Sequence, residues 1–210
     1  MATKAGLFDA AMIEIGHQTL VDTGEPVEAG RLLNKVYSRT VNDCLAAWSW
    51  NFAMETVKAV ADTGVTPNFG FTEVFAKPSD WVRTFGVSQD ERLSLPLLQY
   101  YDDANFWSAD LSPIYVRYVS NDTGLGFELT RWPAAFTRYV ELELAARVAP
   151  RIAKSEAERV EKLRDKAKRH ALGQDAMNEA QPRFAPMGSW NSARGGGRGG
   201  DRGNRGSLTG

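Results

Sequence analysis

Cysteine, histidine and long apolar runs are all scarce in this chain, and each scarcity removes a class of protein. Cys44 is the single cysteine of 210 residues, so no internal disulfide can form and a reducing compartment fits. The two histidines, His17 and His170, lack a cysteine or second histidine at ligand spacing and read as surface residues. No stretch approaches the roughly 18 apolar residues of a membrane-spanning helix. The opening MATKAGLFDAAMIEIG lacks the apolar core of a secretion signal, so the sequon Asn121-Asp122-Thr123 carries no weight. Excess charge is missing too, since 25 Lys+Arg stand against 26 Asp+Glu for a net −1.

Catalytic patterns are equally sparse. Gly124-Leu125-Gly126 has no third glycine and reads as a turn rather than a nucleotide loop. The carboxylate pairs Asp102-Asp103 and Glu141/Glu143 read as solvated faces, and Glu143 stands four residues before Arg147, where the two can pair. No serine has a base near it in the sequence. The reading is of a protein that is not an enzyme, with no catalytic residue, cofactor or metal site.

What the chain does hold is apolar material for a core: 43% hydrophobic residues, with six Trp and ten Phe, enough for one domain. The spacing of Leu7, Phe8, Ala11, Met12 and Ile15 predicts a helix over about 4–15. A second is expected over about 27–47, with Pro26 at its start and a stripe running through Leu33, Val36, Tyr37, Val41, Cys44, Leu45 and Trp48. Trp50, Phe52 and Met54 then alternate with polar or small residues, as in a strand. Residues 69–76 and 113–120 are further strand candidates, and Pro78–Arg83 reads as a helical turn capped by Ser79. Residues of about 50–122 are thus expected to form a small antiparallel β insert. Helix returns over about 133–153, with Pro150 ending or kinking it, and over about 156–179, opened by a capping box at Ser155–Glu158. This last helix is heavily charged, with a narrow stripe of Val160, Leu163, Ala167 and Ala171. The fold class expected is mainly α: a helical bundle with a small β insert and an extended C-terminal arm. Trp48, Phe52 and Leu144 are expected in one core.

The charge is unevenly placed. Residues 182–210 hold Arg183, Arg194, Arg198, Arg202 and Arg205 against Asp201, or +4, which leaves −5 for residues 1–181. Within them GSWNSARGGGRGGDRGNRGSLTG, residues 188–210, offers little to build a core, and its glycines make ordering costly without a partner. Trp190 is a lone aromatic in this segment, suited to fill a pocket on a partner.

The order of segments resembles the head-to-tail adaptor family of tailed bacteriophages, the tail tubular protein A-like chains of short-tailed phages. The residues that carry the likeness spread over most of 5–194: LFDAAMIEIGHQTLVDTGEP, LLNKVYSRTVNDCLAAWSWNFA, FAKPSDWVRTFGV, IYVRYVSND, WPAAFTRYVELELAARVAPRIAKSEA, ALGQDAMNEAQP and GSWNSAR. The resemblance implies an adaptor domain over 1–181, assembled twelve to a ring beneath the portal protein. Such a ring extends the channel for genomic DNA, touches that DNA without sequence-specific contact, and receives the next tail component. The protein would then reside in the tail or neck of the virion after assembly in the host cytoplasm. The family's C-terminal segment, matched here by about 182–194, grips the portal or a neighbouring subunit. The glycine-rich run 195–210 departs from the family's pattern.

On this reading the docking residues for portal or neighbour are Phe184, Trp190, Arg194, Arg198, Arg202 and Arg205, and the inter-subunit helix contributes Arg159, Lys162, Lys166 and Arg169. Two alternatives belong to other classes. One is a nucleic-acid-binding protein with an RGG-like tail, resting on Arg194-Gly195-Gly196 and Arg198-Gly199-Gly200, which Asp201 interrupts. The other is a tail-associated peptidoglycan hydrolase.

Overall fold

The computed structural model describes residues 2–18, 28–67 and 70–178. These belong to one compact unit, Met1–Asn178. Helix α1, Lys4–Glu14, starts where the Thr3 side chain accepts the Gly6 N–H at 3.1 Å, and stops at Gly16, whose φ of 70° suits a residue without Cβ. Helix α2, Glu28–Ala46, buries the stripe of Leu33, Tyr37, Val41, Cys44 and Leu45. Helix α3, Ala134–Ile152, carries Pro150 within its last turn and ends two residues later. Helix α4, Ala157–Asn178, follows a short 3₁₀ turn, Lys154–Glu156, in place of the capping box expected at Ser155. All four helices contribute to one apolar core, in which Phe8, Met12, Leu33, Leu45, Phe136 and Leu144 are fully buried.

Between α2 and α3 the described residues build six strands: β1 Met54–Ala59, β2 Glu73–Ala76, β3 Trp81–Ser88, β4 Tyr101–Asp102, β5 Phe106–Ala109 and β6 Ile114–Ser120. They form two antiparallel three-stranded sheets, ordered β1-β6-β3 and β2-β5-β4. Side chains of both sheets meet in a second core of Ala59, Phe75, Val87, Trp107, Ala109, Ile114 and Val116. Strand β6 serves both cores: Ile114 and Val116 point into the second, while Val119, on the opposite face, packs among the helices.

Helix accounts for about 48% of the described residues and the two sheets for 19%, so the fold is α+β rather than a helical bundle with a small insert. The correction has a local cause. Residues 81–83, expected in a helical turn capped by Ser79, form the start of β3, whose register against β6 shifts between Trp81 and Arg83 and again between Thr84 and Gly86. Each bulge breaks the two-residue alternation by which a strand is recognised. Asp80 ends the preceding turn, accepting from the Tyr118 hydroxyl at 3.2 Å and from the Ser120 hydroxyl. The strand expected from Trp50 begins four residues later, because Asn51–Ala53 forms a 3₁₀ turn. Trp48 is a second correction. Helix α2 ends at Ala46, so Trp48 falls beyond the stripe and is 37% exposed, while Trp50 is 1% exposed and fills the core. Phe52 is half-buried against that core and Leu144 fully buried within it.

Candidate assembly surface

Helix α4 has two unlike faces. Val160 and Ala171 are buried and Leu163 and Ala167 half-buried, the narrow stripe the spacing predicts. Beside it runs an ionic cluster that joins three helices. Glu143 on α3 is nearly buried and accepts from Arg147 of its own helix at 3.1 Å and from Arg164 of α4 at 3.2 Å. Arg147 also donates to Asp43 of α2 at 2.7 Å, and Arg164 to Asp165 at 2.7 Å. One carboxylate bracketed by two guanidiniums is a fixed, charge-assisted joint. Its surroundings set the chemistry of Cys44, whose thiol is pushed up to about 12, first by burial and then by the Glu143 carboxylate. Burial likewise pushes the Tyr139 hydroxyl up. Cys44 is therefore a packed, unreactive thiol.

The joint gives a direct contrast with the helix surface. Glu143→Ala leaves two partly buried cations without their shared carboxylate, and is expected to lower the unfolding free energy by about 2 kcal/mol. Lys162→Ala removes an exposed pair with Glu158 and should change it by less than about 0.5 kcal/mol. Urea unfolding of both variants checks this, and equal midpoints would show that the cluster is not a joint.

The four cations expected on the inter-subunit helix do not share one environment. Arg159 is spent inside the chain: Nε donates to Glu156 at 2.7 Å and the guanidinium donates to the backbone carbonyl of Glu14 at the end of α1. Lys162, Lys166 and Arg169 are exposed, interspersed with the exposed acids Glu158, Glu161 and Asp165. Lys162 pairs with Glu158 at 2.6 Å, and Arg169 donates to the Asp165 carbonyl at 3.3 Å. Phe184, Trp190, Arg194, Arg198, Arg202 and Arg205 lie outside the described residues.

No protein-family model matches the chain, and no curated protein matches it. The surface is therefore read from its own residues. Among the described residues no group of three or more His, Cys, Asp or Glu could hold a metal ion, and no helix is long and apolar enough to cross a membrane.

One part of the surface is absent from the sequence-based expectations. The loop between β3 and β4 displays Leu93, Leu95 and Leu98, exposed by 36%, 58% and 85%, while Leu97 packs inward against the second core. The loop is built rather than slack. Asp90 accepts from the Ser94 hydroxyl at 2.6 Å, the Leu95 N–H at 2.8 Å, the Ser88 hydroxyl at 2.7 Å and the Ser94 N–H at 2.9 Å. These bonds hold its carboxyl well below the usual carboxylate range, the Ser94 hydroxyl contributing most. A depressed pKa means the charged form favours the folded loop, so this support persists at neutral pH and is lost only in strong acid. Leu93 sits at φ 55°, a region leucine rarely adopts. The signal available beforehand was four leucines in six residues beside Asp90 and Pro96, too apolar for a turn and too irregular for a strand.

Proposed function

We propose that the chain is a structural virion subunit without enzymatic activity: a head-to-tail adaptor that assembles twelve to a ring beneath the portal, lengthens the DNA channel and receives the next tail component. The observation that carries the reading is the two-faced α4. Its apolar stripe is used up within the domain, and its outer face presents Lys162, Lys166 and Arg169 among Glu158, Glu161 and Asp165. A mixed-charge face of this kind sets the register of a contact more than its strength. Register is what a ring needs, because a head-to-tail contact closes only at one rotation. The segment order described above and the +4 charge of residues 182–210 beside a −5 body support the same assignment. An acidic body also suits passage of DNA without capture. The site of action is then the tail or neck of the virion.

The test combines electron microscopy and co-sedimentation of the purified protein with its portal. The chain alone is expected to be monomeric or weakly associated, and to form rings on the portal. Deleting 182–210 should leave a folded monomer that fails to join. Deleting 195–210 should weaken joining less, and Trp190→Ala should fall between, at about 2–4 kcal/mol of binding. A stable dimer that persists with portal, or a full deletion that binds undiminished, overturns the reading. A salt-dependent DNA affinity carried by 188–210 would move the assignment to a nucleic-acid-binding protein.

A further inference from the structure

We infer that the leucine loop, residues 93–98, docks into a cavity on a second copy of this chain, and that loop and cavity are the two unlike faces of a head-to-tail contact between neighbouring subunits. The inference rests on the adaptor reading for its setting and on the following geometry for its substance.

The loop is a preformed apolar projection. Asp90 fixes it from within, the Gln89 N–H donates to the Leu95 carbonyl at 2.9 Å, and the Leu97 N–H donates to the Val87 carbonyl at 2.8 Å. Leucines held out of a core, in a loop rigid enough to keep one of them at positive φ, cost little further entropy on binding. A slack loop would fold such residues inward or lose the gain to ordering. The charge beside them is also settled. Glu91 is turned to its own molecule, accepting from the Tyr115 hydroxyl at 3.2 Å. Arg92 is exposed and forms no ion pair among the described residues, so the projection carries one free cation.

The same chain carries a complement. A cavity of about 640 Å³ opens over the second sheet, its walls apolar at Val65, Val74, Tyr101 and Phe106 and polar at Asn105 and Ser108. That volume admits several branched apolar side chains, within the usual range of binding clefts. Its walls include Tyr101, which packs edge-on against Phe71 at a ring distance of 4.7 Å. Its charge has the needed sign. Lys77, 4% exposed, takes the Asp102 carboxylate and donates to the Asp103 carbonyl at 2.5 Å, so the Asp103 carboxylate forms no ion pair among the described residues. An apolar projection with one free cation thus meets a cleft that is apolar at Val65, Val74, Tyr101 and Phe106 and carries one free anion. Two unlike complementary patches on identical chains make a head-to-tail contact.

The experiment uses two single-cysteine additions, Leu98→Cys in one preparation and Ala104→Cys, at the cavity wall, in another. Cys44 is buried and leaves the added thiols to react alone. The two are mixed, alone over a concentration series and with portal, treated with a short bismaleimide, and read by mass and by sedimentation. A cross-linked dimer that forms in the mixture and not in either preparation alone is the expected result. Leu95→Ser with Leu98→Ser should weaken subunit association about tenfold or more, with an unchanged melting temperature showing that the fold survives. Rings without the cross-link overturn this contact and leave the adaptor reading standing. Protection of Leu98→Cys by portal alone, without cross-linking, makes portal the occupant and also overturns it. Cross-linked dimers that never join a portal keep the contact and remove the adaptor reading. No cross-link and no association under any condition removes both.

Discussion

Replacing Trp50 with alanine is expected to lower the unfolding free energy by about 4 kcal/mol, the largest single effect in the helical core. The indole is 1% exposed. It meets Phe136 edge-on at 4.8 Å and lies tilted against Phe52 at 6.2 Å and Tyr139 at 6.4 Å, so alanine leaves a cavity walled by three rings. Its Nε1 donates at 2.8 Å to the carbonyl of Cys44, in the last turn of α2, where helical carbonyls have no partner within the helix. Truncation therefore removes packing and the shorter of two bonds to that carbonyl, which keeps only the Ala47 N–H at 3.3 Å. Trp48→Ala provides the contrast, at about 1 kcal/mol or less, because that ring is 37% exposed. Guanidinium unfolding of the two variants decides the matter. Equal losses, or a larger one at Trp48, would show that the core tryptophan has been misassigned.

Gly126→Ala is the second large effect, expected at about 3 kcal/mol. A Cβ at Gly126 would stand 2.0 Å from the Ser120 carbonyl oxygen, well inside contact distance. Neither side can retreat easily. Ser120 is held by its hydroxyl bond to Asp80 and by the Asp122 N–H, which donates to that same hydroxyl at 3.0 Å. Gly126 is held by its own carbonyl, which accepts from the Trp132 indole at 2.9 Å. At Gly124 the nearest obstacle is the Asp122 side-chain oxygen at 3.2 Å, which need give only a few tenths of an ångström and can do so while still accepting the Gly124 N–H. Thermal unfolding should show Gly126→Ala melting roughly 6–12 °C lower, with Gly124→Ala nearly unchanged. Similar melting temperatures for the two would refute the close approach.

The Gly124-Leu125-Gly126 turn was legible from glycine placement, but the reason for Gly126 was not, since its obstacle comes from the end of β6. The same division holds elsewhere. Helices α1, α2, α3 and α4 could be read to within a residue or two, because apolar spacing and terminal residues such as Gly16 are local signals. The strands were harder. Strand β6 alternates cleanly, whereas β3 carries two bulges and β4 has two residues, too few for any period to show. Their existence depends on pairing partners distant in sequence. The candidate surface divides likewise. The exposed charges of Lys162, Lys166 and Arg169 follow from composition and helical spacing. Arg159 shares that spacing, yet its partner at Glu14 lies 145 residues away and no periodicity reveals it. The leucine loop was hidden because exposure of Leu93, Leu95 and Leu98 depends on Asp90 gathering the backbone around itself.

The double duty of β6 has a consequence for how the chain comes into being. Synthesis runs from the N-terminus, and β1 waits for β6, since Met54 pairs with Val119 and Ala59 with Ile114. The second core cannot close until Ser120 has emerged, although every residue it needs is present at that moment. The helical core must wait longer, because Phe136 and Leu144 are supplied by α3. For the whole of that interval Leu7, Phe8, Met12, Leu33 and Val41 have left the ribosome without their permanent cover. The apolar surface of the nascent protein that waits longest is therefore that of α1 and α2, made before β6 and α3 and sheltered only after them.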